Sequence, residues 1–176
     1  MEIAVVGATG YTGVELVKYL SNHPHFHIKK IFSSSQFGVR LADLEPSLDG
    51  ICNLTLEALN SENLLKDSSV SAFFLCQPHG TSFELVKKLV EAGKIVVDLS
   101  ADFRFSNSRL YEKTYNVTHP YPELLEKKAY GIPEIFKSDI VSSNLIANPG
   151  CYPTSIIIPL YPLIEKKLVE LDNIIV

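Results

Sequence analysis

Hydrophobic positions along this chain follow two periods, and the changes between them mark out its elements. Glu2-Ile3-Ala4-Val5-Val6 is a short run rich in β-branched residues that stops at Gly7, and from Thr12 to Leu20 the apolar residues Val14, Leu16, Val17 and Leu20 recur at helical spacing. That order predicts strand, glycine turn, helix. Three further short apolar runs, Ile28 to Phe32, Val70 to Cys76 and Ile95 to Leu99, have the length and continuity of strands covered on both faces. Between the last two, Ser82 to Ala92 reads as a helix closed by Gly93. Strands alternating with helices predict a parallel sheet, because a parallel pair needs a crossover and a helix supplies it.

The pattern weakens from Ala101 to Ser143. Pro120, Pro122 and Pro133 interrupt it, so this stretch is expected to be loop and short helix, with Tyr111 to Tyr115 helical. Irregular chain of that length usually lines a site. Leu145-Ile146-Ala147 then reads as a strand, Asn148-Pro149-Gly150 as a turn, and Tyr152 to Glu170 as a helix kinked by Pro159 and Pro162. Ile174-Ile175-Val176 resembles a strand cut short, so the chain is expected to be part of something longer.

Composition narrows the function classes. With 176 residues and 46% hydrophobic content, the chain can form one well-buried domain. Acidic residues outnumber basic ones, 20 against 16, and no stretch clusters Lys and Arg, which argues against a nucleic-acid partner. No apolar run approaches the ~20 residues of a membrane span, and a strand-like start differs from a signal peptide, so a cytoplasmic protein with no membrane partner is expected. Cys52, Cys76 and Cys151 are odd in number and far apart, giving neither a disulfide framework nor a metal knuckle.

Three constellations could carry chemistry. Gly7-Ala8-Thr9-Gly10-Tyr11-Thr12-Gly13 follows the first strand and opens the first helix, where small residues permit a tight turn and backbone N–H groups face a dinucleotide's pyrophosphate. At the end of the second strand, where an acidic residue would clasp a ribose 2′-hydroxyl, the chain instead reads Phe32-Ser33-Ser34-Ser35, with Arg40 close behind. Hydroxyl donors and no repelling carboxylate favour NADP over NAD; the plainer alternative is a solvated serine loop. Cys151, between a strand end and a helix start, meets the positive end of the helix dipole. A thiol of ordinary pKa is only about 3% thiolate at pH 7, so such a setting decides whether it acts as a nucleophile. Cys52 and Cys76 are read as small buried hydrophobes.

Two further groups are weaker. His23, His25 and His27 alternate at the entry to the second strand, but no further ligands lie nearby and no metal site is expected. Asp98, Asp102 and Arg104 follow a strand's carboxyl end, where open α/β sheets bind ligands; a structural ion pair and a substrate-binding arginine both remain open.

Taken together, GATGYTG at 7 to 13, SSS at 33 to 35, PHG at 78 to 80, DLSADFR at 98 to 104, YGIPE at 130 to 134 and ANPGCYPT at 147 to 154 resemble the N-acetyl-gamma-glutamyl-phosphate reductases of arginine biosynthesis, relatives of aspartate-semialdehyde dehydrogenase. The resemblance implies an α/β fold: a Rossmann-type NADP-binding domain over residues 1 to 147, with a mostly parallel sheet, and the first elements of an α+β catalytic domain from 148 to 176. It implies NADPH-dependent reduction of an acyl phosphate through a cysteine thioester. Cys151 would be the nucleophile, and Gly7, Thr9, Gly10, Tyr11, Thr12 and Gly13 would cradle the cofactor. Ser33, Ser35 and Arg40 would face its 2′-phosphate, and Pro78 and His79 would lie along it. Arg104 and Asn148 would orient a small-molecule substrate. The family's general acid/base histidine lies in a second half that also makes the contacts of a homo-oligomer, so this stretch is expected to bind cofactor without efficient turnover. A semialdehyde dehydrogenase acting on another acyl phosphate and a non-catalytic NADP-binding module are the competing readings.

Overall fold

The computed structural model describes residues 1–60, 64–65, 67–172 and 174–175. The chain forms β1 (Glu2–Val6), α1 (Tyr11–Ser21), β2 (His27–Ser33), α2 (Leu41–Leu44), β3 (Leu56–Ala58), β4 (Ala72–Leu75), α3 (Phe83–Glu91), β5 (Ile95–Asp98), α4 (Ser108–Tyr115), α5 (Pro122–Lys127), β6 (Ala129–Tyr130), α6 (Pro133–Ser142), β7 (Leu145–Ala147) and α7 (Cys151–Glu165). All seven strands join one sheet in the order β3-β2-β1-β4-β5-β7-β6. Every pairing is parallel. The chain starts mid-sheet, winds outward through β2 and β3, then returns to the other side of β1. That reversal leaves a crevice at the carboxyl ends of β1 and β4, the place where open α/β sheets take ligands.

The strands are apolar on both sides because both sides are covered. Ile3 and Val5 join one buried cluster with Val14, Val17 and Leu20 of α1, while Ala4 and Val6 join a second with Val86 and Leu89 of α3 and Leu124 and Leu125 of α5. Successive side chains of a strand point to opposite faces, so one five-residue segment serves both cores. This is a Rossmann-type α/β fold.

Residues 101 to 143 hold more regular structure than their weak pattern predicts. Pro122 and Pro133 sit in the first turns of α5 and α6, where the missing N–H costs nothing, so residues that look like breakers act as helix starts. Asn107 caps α4 through its side-chain oxygen, which accepts from the N–H groups of Arg109 (2.9 Å) and Leu110 (3.1 Å). Pro159 and Pro162 lie inside one helix, α7, which begins at Cys151 and ends at Glu165 rather than at 170. Non-helical backbone inside a helix occurs instead at Phe136 of α6. Ile174 and Ile175 lie in no strand, and Val176 falls outside the described residues.

Buried polar groups gather at the carboxyl edge. Asp98, at the end of β5, has no solvent exposure and accepts from the Ser100 N–H (3.2 Å) and hydroxyl (2.7 Å). Burial nevertheless pushes its carboxyl up to about 6, against those hydrogen bonds.

Two expectations follow from the packing and this carboxylate. A Cβ on Gly13 would stand 2.2 Å from the Gly7 carbonyl oxygen and 2.8 Å from the Ala8 Cα, backbone atoms that cannot step aside. Gly13→Ala should therefore destabilise the chain by about 2–4 kcal/mol in urea unfolding. Asp98 in the unfolded chain titrates near 4, so the folded state binds its proton more tightly, and stability falls as pH rises from about 4 to 6. Asp98→Asn should be more stable than the parent above pH 6 by about 1–3 kcal/mol, with the gain vanishing below pH 4; a pH-independent difference would contradict this assignment.

Candidate active site

The glycine turn is stitched to β2 chiefly through its backbone. Gly7 takes φ +78°, and the N–H groups of Gly7 (2.9 Å) and Ala8 (3.1 Å) both donate to the Phe32 carbonyl at the end of β2. A Cβ on Gly7 would stand 2.4 Å from the Cys76 carbonyl oxygen, so β4 closes over the turn as tightly as backbones can approach. Gly10 caps α1 with no side-chain hydrogen bond, which leaves the N–H groups of the first turn, Tyr11 to Gly13, directed at the crevice. Tyr11 and Thr12 are exposed above it. A cradle with no side chain at Gly7 or Gly13, open donors and a helix dipole behind it fits the pyrophosphate of a dinucleotide.

Beside the turn, Ser33 is buried rather than displayed. Its hydroxyl accepts from the N–H groups of Ser35 (3.4 Å) and Gln36 (3.2 Å) and lies 3.2 Å from the Thr9 hydroxyl, so it shapes the loop from beneath. Ser34 and Ser35 face solvent. Arg40 is exposed and paired with Asp43, which holds its guanidinium above the usual range.

Beyond β4, Pro78 and His79 are exposed, and His79 Nδ1 meets Asp102 Oδ1 at 2.7 Å. Asp102 is fully buried and also accepts from the N–H groups of Gly80 (2.7 Å) and Ser82 (3.1 Å) and from the Ser82 hydroxyl (2.8 Å). The His79 ring packs on Tyr115, at 4.3 Å between centroids. His119 plays a different part. Its Nδ1 accepts from the Tyr121 N–H (3.1 Å), which fixes the tautomer in which Nε2–H donates to the Asp102 carbonyl (3.0 Å). Burial holds the imidazole below its ordinary value, so it is a neutral brace.

Cys151 is the exposed first residue of α7, preceded by the extended Gly150. It lines a cavity of about 930 Å³ together with Thr12, Arg104, Gly131, Glu134, Asn148 and Thr154. Thr12 comes from the first turn of α1, so the glycine turn and the thiol open into one space. Arg104 makes no ion pair among the described residues; its Nε donates to the Asn148 carbonyl (2.9 Å) and one Nη to the Leu99 carbonyl (3.0 Å). The Asn148 N–H is held by the Asp98 carbonyl (2.8 Å), and its side-chain amide donates to the Pro149 carbonyl (3.2 Å). The other thiols differ: Cys52 is buried, and burial pushes Cys76 up to about 12.

Sequence reasoning missed the buried service of Ser33, the His79–Asp102 pair, and Gly131, Glu134 and Thr154 in the cavity wall. The motifs YGIPE and ANPGCYPT contain the last three, but nothing in the one-dimensional pattern says that they face one another. His27 Nδ1 meets Glu2 (3.0 Å), and His23 Nδ1 accepts from two backbone N–H groups. Among the described residues no cluster of three or more His, Cys, Asp or Glu could hold a metal ion.

The chain is 44% identical over its full length to N-acetyl-gamma-glutamyl-phosphate reductase of Rhodopirellula baltica, and 41% identical over 174 residues to that of Acetivibrio thermocellus. It spans 50% of each of those proteins, so it covers about half the length of the curated relatives it matches. Among solved structures, aspartate semialdehyde dehydrogenase with NADP from Candida albicans superposes with a TM-score of 0.71 at 22% identity, covering 94% of this chain and 47% of that one, a likeness of fold. The family described as semialdehyde dehydrogenase, NAD binding domain, matches residues 2–143, and the chain belongs to that family.

Proposed function

We propose that this chain is the cofactor-binding half of an NADPH-dependent reductase that converts N-acetyl-gamma-glutamyl phosphate to the semialdehyde, with Cys151 as its nucleophile. The observation that carries the reading is the single cavity shared by Thr12 of the glycine turn and Cys151. Identity of 44% to a protein named for this activity supports the substrate.

The residues divide the work by position. The backbone of Gly7 to Gly13 holds the dinucleotide's pyrophosphate, with Thr9, Tyr11 and Thr12 bordering it. Ser35 and Arg40 lie on the exposed loop that would meet a 2′-phosphate, and Ser33 sets that loop's shape from below. Pro78 and His79 border the crevice beyond β4. When bound, the reduced nicotinamide supplies a hydride. Cys151 attacks the acyl carbon, a C–S bond forms as the C–O bond to phosphate breaks, and the thioester carbonyl accepts what a carboxylate would resist. Arg104 and Asn148 line the same cavity as the sulfur and would orient the acyl phosphate there.

The division proposed at residue 147 has a physical basis. No residue of α7 is fully buried, although its sequence, CYPTSIIIPLYPLIE, is apolar on every side. A helix of that kind needs cover. A second unit, in a protein of the relatives' length, supplies that cover, the acid/base group and the subunit contacts of a homo-oligomer. No helix among the described residues is long and apolar enough to cross a membrane, and a cytoplasmic setting suits such an enzyme.

Two measurements test the reading. Mixing the chain with N-acetyl-gamma-glutamyl phosphate should leave an acyl adduct on the peptide containing Cys151 and none in Cys151→Ser; adducts spread over Cys52 and Cys76 would refute it. Fluorescence titration should give a dissociation constant about tenfold lower for NADPH than for NADH, the worth of one or two charge-assisted contacts. Equal affinities would overturn the cofactor choice.

A further inference from the structure

Four buried side chains form a line along the carboxyl edge, beneath the loops that follow β4 and β5. Asp102 Oδ2 accepts from the Ser82 hydroxyl (2.8 Å), the Ser82 and Ser100 hydroxyls lie 3.3 Å apart, and the Ser100 hydroxyl donates to Asp98 Oδ2 (2.7 Å). Asp98, Asp102 and Ser82 have no solvent exposure, and Ser100 is buried with them. Three oxygen–oxygen contacts need three protons, and the two hydroxyls supply two. With both carboxylates ionised, one contact is left without a proton. A further proton on either carboxyl turns all three into hydrogen bonds.

The two ends of the line hold that proton unequally. Asp102 also accepts from the N–H groups of Gly80 (2.7 Å) and Ser82 (3.1 Å) and meets His79 Nδ1 (2.7 Å), and these donors favour its ionised form. Asp98 has only the N–H (3.2 Å) and hydroxyl of Ser100 among the described residues, and burial raises its carboxyl to about 6. The other groups facing the pair keep their charge in that range. Burial raises the Cys76 thiol of β4 and the Tyr111 phenol of α4 to about 12, so both stay neutral, and the Tyr111 hydroxyl is itself buried without a partner. His119, whose Nε2–H donates to the Asp102 carbonyl, is held below its ordinary value by burial, and Arg104 supplies a positive charge near Asp98. His79 is the partly exposed member, the one in contact with water.

We infer that Asp98 and Asp102 share one proton across the Ser100 and Ser82 hydroxyls, so that the pair titrates as a unit in the wall of the crevice. The transfer is balanced: the proton on Asp98 Oδ2 passes to Ser100 Oγ as that of Ser100 passes to Ser82 Oγ and that of Ser82 to Asp102 Oδ2. Negative charge moves the other way, from Asp102 to Asp98. Below the step the pair carries one negative charge, above it two. That charge sits between two loops, because Asp102 holds the N–H groups of Gly80 and Ser82 while the Asp98 carbonyl holds the Asn148 N–H of the turn before Cys151. None of this depends on Cys151 or on which cofactor binds.

Carbon-13 NMR of the chain labelled at its aspartate carboxyl carbons, titrated from about pH 8 to about pH 4, tests it. In the parent, Asp98 and Asp102 should move in one common step near pH 6, with Asp102 taking about a tenth of the full protonation shift, the share left by a tenfold preference for Asp98. Ser82→Ala cuts the line while keeping both donors to Asp98, so the Asp98 step should remain and the Asp102 response should fall about fivefold. His79→Gln keeps a donor beside Asp102 without an ionisable ring, and the common step should survive it. Asp98→Asn should abolish the Asp102 response near pH 6, which answers by a second route where Ser82→Ala does not fold. An Asp102 carbon that stays still while Asp98 titrates overturns the sharing. An undiminished Asp102 response in Ser82→Ala does so too, since it would report the field of Asp98 and not its proton. Loss of the step in His79→Gln would give it to the imidazole, and its survival in Asp98→Asn would give it to Asp102 alone; either result is fatal to a shared proton.

Discussion

Parallel pairing is the constraint on which the rest depends. When seven strands run one way, every strand-to-helix turn opens on the same edge of the sheet, and the first turns of the following helices point their unpaired N–H groups there. The glycine turn before α1 and the Asn148-Pro149-Gly150 turn before α7 belong to strands β1 and β7, separated in the sheet by β4 and β5. Their residues are some 140 positions apart in the chain, yet Thr12 and Cys151 line one cavity. The glycine turn and the Cys151 thiol meet because the sheet has a direction.

The elements legible in the sequence were those with enough residues to show a period. Residues 2 to 6 and 145 to 147 read as strands with the bounds they have, and α1 and α3 lie within a residue or so of their apolar spacing. What escaped was short or capped by context. β3 has three residues and β6 two, too few for alternation to register. The prolines of the 101–143 stretch look the same whether they start a helix or end one; only the chain before them decides.

At the site, the motif residues could be found and their partners could not. Cys151 was singled out by its place between strand and helix, and the structure leaves it as the exposed thiol of the three. Asp102 and His79 are 23 residues apart in the chain, and their meeting depends on β4 and β5 lying side by side. The Asp102 pocket also receives the Ser82 hydroxyl and the backbone of Gly80, so a fully buried carboxylate has a donor for each oxygen. Asp98 has only the N–H and hydroxyl of Ser100, and burial raises its carboxyl to about 6 in spite of them. Such differences come from three-dimensional company and leave no trace in composition.

The loop from Ser34 to Arg40 stands apart from this tightly coupled edge. It faces solvent throughout, and the space around Gly38 is open, with no atom within 4 Å of where a Cβ would be. Backbone crowding at Gly7 and Gly13 fixes the glycine turn, whereas the loop keeps its side chains in solvent and is held by backbone bonds to the Ser33 hydroxyl and to Leu56. Side chains on that loop can therefore be exchanged without reaching either hydrophobic cluster or the cavity that Cys151 lines.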